Sequence, residues 1–264
     1  MLLADNPSGL FFVLNADIIC DYPLTKMVEF HKSHGCEGTL VVTTVEDPSR
    51  YGVIVANADG KIDRFVEKPT TFVSNKINAG MYLFNADIIK RIPMKPTSIE
   101  RETFPQMAAD KQLYQLELKG HWMDIGQPKD YLIGQNLYLN ALEEEKDELL
   151  TAGVNNCGVI VHPSATVDPT AKLGPNVVIG ANCKIGAGVR ISNSTIFHDT
   201  VVKPYSLIQG SIIGWKNTIG SWVRITGLVC TAEDVQIADE SCLTGTKILP
   251  HKPVSGVHGD IVLM

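Results

Sequence analysis

Short apolar runs closed by polar turns fill the first 150 residues, and a different rhythm fills the rest. Residues 10–14, Leu-Phe-Phe-Val-Leu, are an unbroken apolar run closed by Asn15 and Asp17. The run is too short for a helix and predicts a strand buried on both faces, as inside a parallel sheet. Leu24, Met27, Val28 and His31 recur at helical spacing after Pro23, so a helix is predicted up to Gly35. Residues 38–45 and 52–56 are rich in β-branched side chains and predict strands. Asn57-Ala58-Asp59-Gly60 separates two apolar runs, which makes 52–66 a hairpin. Residues 79–84 and 113–118 predict further strands, and 128–150 one long helix with an acidic, solvated surface. Thr97-Ser98-Ile99-Glu100 carries the capping chemistry of a short helical stretch. The letters Asn-Ala-Asp-Ile-Ile occur twice, at 15–19 and 85–89, and both copies read as a strand end followed by a helix start.

From Val161 an aliphatic residue stands at every sixth position: Val161, Val167, Leu173, Ile179, Ile185, Ile191. The series resumes in another phase at Ile213, Ile219 and Ile225. This is the hexapeptide repeat of a parallel β-helix, with aliphatic side chains stacked inward and small residues at tight corners. The change of phase predicts a longer coil or an ejected loop between 191 and 213. Two domains follow, 1–150 and 151–264, joined at the linker-like residues 151–158. Stacked coils expose an end and flat sides, so a homo-oligomer or a hetero-complex is expected.

The totals narrow the class. Charged residues are 20% and apolar ones 44%, a globular composition. A net charge of -6 and the lack of any basic run argue against a nucleic-acid partner. No apolar stretch approaches a membrane span, and residues 1–7 lack the basic and long apolar parts of a signal peptide. The six cysteines are widely spaced with no CxxC, which suits reduced thiols in a cytoplasmic protein.

Candidate chemistry sits at predicted strand ends of the first domain. Asp17 and Asp124 are two separated carboxylates able to share one hard cation, and Mg²⁺ is usually held by one or two carboxylates plus substrate phosphates. Lys68 supplies a point charge for a phosphate. Asn78 and the Gly80 backbone offer hydrogen bonds to a sugar hydroxyl. Each also has a plain structural reading: Asp17 as a helix cap, Glu67–Lys68 as a surface pair, 78–80 as a turn.

Taken together and in order, the motifs look like those of the sugar-phosphate nucleotidyltransferases. They are Phe12-Val13-Leu14-Asn15-Ala16-Asp17, Phe65-Val66-Glu67-Lys68-Pro69, the stretch 75–82, Pro96-Thr97-Ser98-Ile99-Glu100 and the stretch 122–130, followed by hexapeptide repeats. With Ile213-Gly214-Trp215 and Leu249-Pro250-His251-Lys252, they most resemble the GDP-mannose pyrophosphorylase branch, in its eukaryotic catalytic β form. The resemblance implies an α/β, Rossmann-like nucleotidyltransferase domain followed by a left-handed parallel β-helix. It implies Mg²⁺ on Asp17 and Asp124, with Lys68 meeting the sugar phosphate. Glu67 would hold sugar hydroxyls, while Asn78, Ala79, Gly80 and Gly126 line the sugar pocket and Tyr51-Gly52 adds a further contact. The implied reaction takes GTP and mannose 1-phosphate to GDP-mannose and pyrophosphate, in a homo-oligomer or a complex with a regulatory paralogue.

One family feature is not found in the sequence. Relatives open on a Gly-rich loop followed by an Arg and a Lys-Pro pair, and such loops cradle phosphates with backbone N–H groups. The expectation is an N-terminally incomplete domain with an open apolar edge at residues 10–14 and little or no transferase activity by itself. Three other readings stay open. One is a non-catalytic subunit that senses GDP-mannose, and another a purely structural oligomerisation module. The third is a hexapeptide acyltransferase using His162 or His198.

Overall fold

The computed structural model describes residues 9–151 and 158–264. They fall into two compact units, divided between Trp122 and Met123. The expectations placed on residues 1–7 and on the linker 152–157 lie outside the described residues.

The first unit is built on a mixed, six-stranded sheet. Its elements are β1 (Leu10–Leu14), β2 (Ile18–Cys20), α1 (Leu24–His34), β3 (Gly38–Thr44), β4 (Gly52–Ala56), β5 (Ile62–Glu67), β6 (Lys76–Asn85), α2 (Phe104–Ala109) and β7 (Leu113–Glu117). The order β5-β4-β6-β3-β7 puts β6 in the middle, and β1 also pairs with β6. Along β6, Ala79, Met81 and Leu83 are buried towards the Met27 side of the sheet, while Tyr82 and Phe84 pack with Phe104 and Met107 on the other. A strand covered on both faces has to be apolar at nearly every position, and eight of its ten residues are buried.

Several expectations need correction. β1 is not a doubly buried parallel strand: it runs antiparallel to β6, with Leu14 opposite Met81. Phe11 and Val13 pack inward whereas Phe12 and Leu14 are exposed, the alternation of a strand covered on one face. The two Asn-Ala-Asp-Ile-Ile copies diverge. The first leads into β2, with Ile18 and Cys20 buried, and the second into a 3-10 helix, Ala86–Arg91. Helix α1 ends as expected, with Gly35 left-handed (φ 65°) and its N–H on the His31 carbonyl.

The second unit opens with β8 (Trp122–Asp124), whose first residue closes the first unit, and α3 (Pro128–Glu145). Helix α3 stops five residues short of the expected 150. Lys146 is left-handed, and Glu143, Glu144 and Glu145 crowd the negative end of the helix dipole with no basic residue in the last turn. Gln135 on α3 is buried and donates to the Asn176 carbonyl, while its Oε1 accepts from Thr195.

From Val159 the chain winds into a parallel β-solenoid of three sheets with six, six and seven strands. Ile185, Val202, Ile219, Ile237 and Val254 align in one inward column. Leu173, Ile191, Ile208, Ile225 and Leu243 form a second, and Ile179, Ile196 and Ile213 a third. All are at most 6% exposed. Successive coils take 17 or 18 residues, except the last, which takes 15. The phase change is therefore no ejected loop. Single left-handed residues, Asn193 and Gly210, turn the chain directly from one strand into the next and shorten the step there. At the other corners, buried hydroxyls replace water: Ser206 donates to the Gly220 carbonyl and accepts from Val223 N–H. None of the described helices is long and apolar enough to cross a membrane.

Candidate functional site

The sheet of the first unit brings four strand ends to one place. Gly52 at the start of β4 lies opposite Glu67 at the end of β5. Val53 pairs with Ile77 of β6, and the Asn15 N–H just past β1 donates to the Gly80 carbonyl at 2.8 Å. Tyr51, Gly52, Glu67, Lys68, Asn78, Ala79 and Gly80 are thus gathered at one sheet end, with Asp17 two residues beyond Asn15.

Backbone geometry shapes this floor. Gly80 has φ +76°, and a Cβ there would stand 2.9 Å from Asn15 Nδ2. A Cβ on Gly52 would meet Glu67 Oε2 at 2.8 Å and the Phe65 ring at 2.6 Å, so the bare backbone makes room for the Glu67 carboxylate. Lys68 is left-handed (φ 44°), and its N–H donates to the Tyr51 carbonyl at 3.2 Å. The chain therefore turns sharply where β5 ends. Lys68 Nζ remains largely exposed, 3.8 Å from Glu67 Oε1. Trp122 walls one side: its indole N–H donates to the Ala79 carbonyl at 3.0 Å, and its ring meets Tyr51 edge-on at 5.5 Å.

Asn78 is the most constrained member. It is 8% exposed. Its Oδ1 accepts from Gly80 N–H at 3.1 Å, and its Nδ2 donates to Tyr82 Oη at 2.7 Å and to Glu100 Oε1 at 3.0 Å. The Tyr82 hydroxyl in turn donates to Glu100 Oε1 at 3.3 Å. Burial, and then the nearby Glu100 carboxylate, hold the Glu67 carboxyl above the usual range, against the pull of Lys68 and Arg101. Burial foremost, with Glu100 and Glu67 adding to it, pushes the Tyr82 phenol well up, so it stays a neutral donor.

Glu100 belongs to this cluster but was not singled out from the sequence, where it reads as the acid of a capping box. The hydrogen bonds assign that task elsewhere: Ser98 Oγ accepts from Arg101 N–H, and Glu102 Oε1 accepts from Ser98 N–H. Residues Ile99–Thr103 form a π-helix, and its extra residue per turn frees Glu100 to face Asn78. The available signal was a second acid, Glu102, spaced four residues after Ser98.

Asp124 and Gly126 belong to the second unit, where Gly126 N–H donates to Asp124 Oδ1 at 2.9 Å. Asp17 is exposed in the first unit. Both present hard oxygen donors of the type Mg²⁺ takes. Among the described residues, no three His, Cys, Asp or Glu side chains form a ready-made metal cage. A cation held by one or two carboxylates together with substrate phosphates and water does not require one. His162 hydrogen-bonds Ser164 and His198 pairs with Asp199 at 2.7 Å on the solenoid surface, both in local contacts.

The chain is similar to known proteins along most of its length. Residues 1–141 match the nucleotidyl transferase family and residues 156–261 the GMPPB C-terminal domain. The mannose-1-phosphate guanylyltransferase catalytic subunit beta of Drosophila pseudoobscura pseudoobscura is 52% identical over 246 residues, covering 93% of this chain and 66% of its own length. The protein of the same name from Dictyostelium discoideum is 52% identical over 252 residues, 95% of this chain and 70% of its own. The mannose-1-phosphate guanyltransferase of Hypocrea jecorina is 51% identical over 250 residues, 92% and 69% respectively. The chain thus spans about two thirds of the length of these relatives. Nucleotidyl transferases as a family generally use a divalent metal. With this identity running through both the sheet and the solenoid, the chain belongs to the nucleotidyl transferase family, among its mannose-1-phosphate guanylyltransferase members.

Proposed function

We propose that this chain works as a mannose-1-phosphate guanylyltransferase, joining mannose 1-phosphate to GTP to give GDP-mannose and pyrophosphate. The observation that carries this reading is the convergence of Glu67, Lys68, Asn78 and Gly80 on one sheet end. A sugar phosphate needs acceptors for its hydroxyls and a cation for its phosphate, side by side, and this cluster offers both. Glu67 takes sugar hydroxyls as an acceptor, and Lys68 is the exposed cation beside it. Gly52 and Gly80 let the sugar approach the backbone, and Ala79 completes the lining. Tyr51 and Trp122 supply an aromatic wall.

The chemistry needs position more than covalent catalysis. A phosphate oxygen of mannose 1-phosphate attacks the α-phosphorus of GTP in line, its P–O bond forms, and the bond to pyrophosphate breaks. Lys68 offsets part of the negative charge brought together. Asp17 and Asp124 are the residues assigned to Mg²⁺, which when bound neutralises phosphate charge. We also propose the domain division 1–150 and 151–264, a cytoplasmic location, and assembly with further copies or a paralogous subunit through the solenoid.

Titration calorimetry with mannose 1-phosphate and GDP-mannose tests the sugar site directly. Binding by the chain that weakens at least tenfold in Glu67→Ala and in Lys68→Ala, and that prefers mannose 1-phosphate over galactose 1-phosphate, is the expected result. Equal binding of the two sugar phosphates, or variants indistinguishable from the parent, would overturn the assignment.

A further inference from the structure

The donors and acceptors around Asn78 can be assigned one by one, and they leave little freedom. Glu100 Oε1 lies within hydrogen-bond distance of Asn78 Nδ2 (3.0 Å) and of Tyr82 Oη (3.3 Å). A carboxylate only accepts, so both neighbours must donate to it. The Tyr82 hydroxyl spends its one hydrogen on Glu100 and therefore accepts from Asn78 Nδ2 at 2.7 Å. Both hydrogens of the Asn78 amide are then committed, and Oδ1 accepts from Gly80 N–H. A flipped amide would set Oδ1 against the carboxylate and NH₂ against an N–H, two repulsions in a residue that is 8% exposed.

We propose that Glu100 is a positioning residue for the sugar site: by holding the Asn78 amide in one orientation it leaves only an acceptor lone pair on Oδ1 for the ligand, so that the site reads sugar hydroxyls as donors. This rests on the sugar-phosphate reading given above and goes beyond it in two ways. It assigns a role to a residue for which the sequence offered only helix capping. It also sets the polarity of recognition, since Glu67, the other partner for hydroxyls, is a second acceptor. The charged groups around the pair are Glu67 and Lys68 from the end of β5, Arg101 from the π-helix and Tyr82 from β6. The Glu100 carboxylate helps to hold the Glu67 carboxyl above the usual range, so losing it lowers the pH at which Glu67 ionises.

Two measurements on the full chain test this, and the first needs no ligand. In ¹⁵N-resolved NMR the Asn78 side-chain NH₂ of the parent exchanges slowly with water. Exchange becomes at least tenfold faster in Glu100→Ala and stays near the parent in Glu100→Gln, which keeps an acceptor oxygen. Unchanged exchange in Glu100→Ala overturns the proposal whatever the ligand turns out to be. In the second, mannose 1-phosphate affinity falls by about 10- to 30-fold in Glu100→Ala, the order expected for a lost charge-assisted hydrogen bond, and by less than about threefold in Glu100→Gln. Deoxyfluoro analogues of mannose 1-phosphate, whose fluorine cannot donate, show at least one position where binding is lost as completely as in the deoxy sugar. Full binding by every fluorinated analogue overturns the donor assignment. Failure of the parent to bind mannose 1-phosphate, with Asn78 exchange still dependent on Glu100, would instead count against the sugar reading and leave the positioning role supported.

Discussion

Two glycines that share a positive φ separate conformational strain from crowding at the site. Gly35 closes α1 with φ +65°, and a Cβ there would meet nothing within 4 Å. Gly80 has φ +76°, but its Cβ would lie 2.9 Å from Asn15 Nδ2 and 3.1 Å from Asn15 Cβ and Cγ. Both Ala variants bear the cost of a left-handed non-glycine residue, about 1–2 kcal/mol, partly offset by about 0.4–1 kcal/mol from the stiffer unfolded chain. Gly35→Ala should therefore cost about 1 kcal/mol. Gly80→Ala must in addition displace Asn15, which cannot simply swing away because its own N–H is held on the Gly80 carbonyl at 2.8 Å. Off-rotamer or backbone adjustment of that kind adds about 1–2 kcal/mol, for a total of about 2–3 kcal/mol. Urea unfolding monitored by tryptophan fluorescence gives both values. The second reading is functional: Gly80→Ala moves the Asn15–Asp17 segment and should weaken mannose 1-phosphate binding, whereas Gly35→Ala should not. Equal destabilisation by the two variants, within about 0.5 kcal/mol, would refute the claim that Asn15 packs on Gly80.

A closed ring of hydrogen bonds joins Cys36 N–H, His34, Thr39, His31, Asn85 and back to the Cys36 carbonyl, and it needs the His34 imidazole neutral, because its Nδ1 accepts from Cys36 N–H. Thr39→Val leaves two imidazole nitrogens without partners and should cost about 2–4 kcal/mol in denaturation, with Thr39→Ser close to the parent. Burial and the adjacent His31 push His34 down to about 4, so the folded state refuses a proton that the unfolded chain takes below 6.5. That contribution is complete above pH 6.5 and is lost as pH falls towards 4; a His34 NMR titration midpoint near 6.5 would contradict it. In the solenoid, Ile219 is 0% exposed within its column, so Ile219→Ala opens a cavity there and should cost about 2–5 kcal/mol by thermal or chemical unfolding. At the C-terminal end of α3, Glu144→Lys should stabilise by about 0.3–1 kcal/mol at low salt, an effect that fades in 1 M NaCl.

Much of the molecule was written locally. The six-residue spacing from Val161 to Ile191 specified a β-solenoid because every coil repeats the same inward positions, so neighbouring segments carry the same instruction. The Asn57–Gly60 hairpin and the Gly35 helix end were legible for the same reason: the turn residues act on their own backbone. The grouping of Glu67, Lys68, Asn78 and Gly80 followed from motifs at strand ends, though their mutual geometry did not. Other features were decided only by contacts distant in sequence. The letters Asn-Ala-Asp-Ile-Ile became a strand at 18–20, where Ile18 and Cys20 are buried with Met81, and a 3-10 helix at 86–91. The direction of β1 depended on β6, some 70 residues away, and an apolar run by itself cannot distinguish parallel from antiparallel pairing. Glu100 looked like a capping acid until the π-helix turned it towards Asn78, 22 residues earlier in the chain. Sequence by itself settles what a residue does to its own backbone and what a repeat does to itself. Which face an apolar run shows, and which partner a buried carboxylate takes, depends on the tertiary neighbours that exclude water and leave one set of hydrogen bonds to be made.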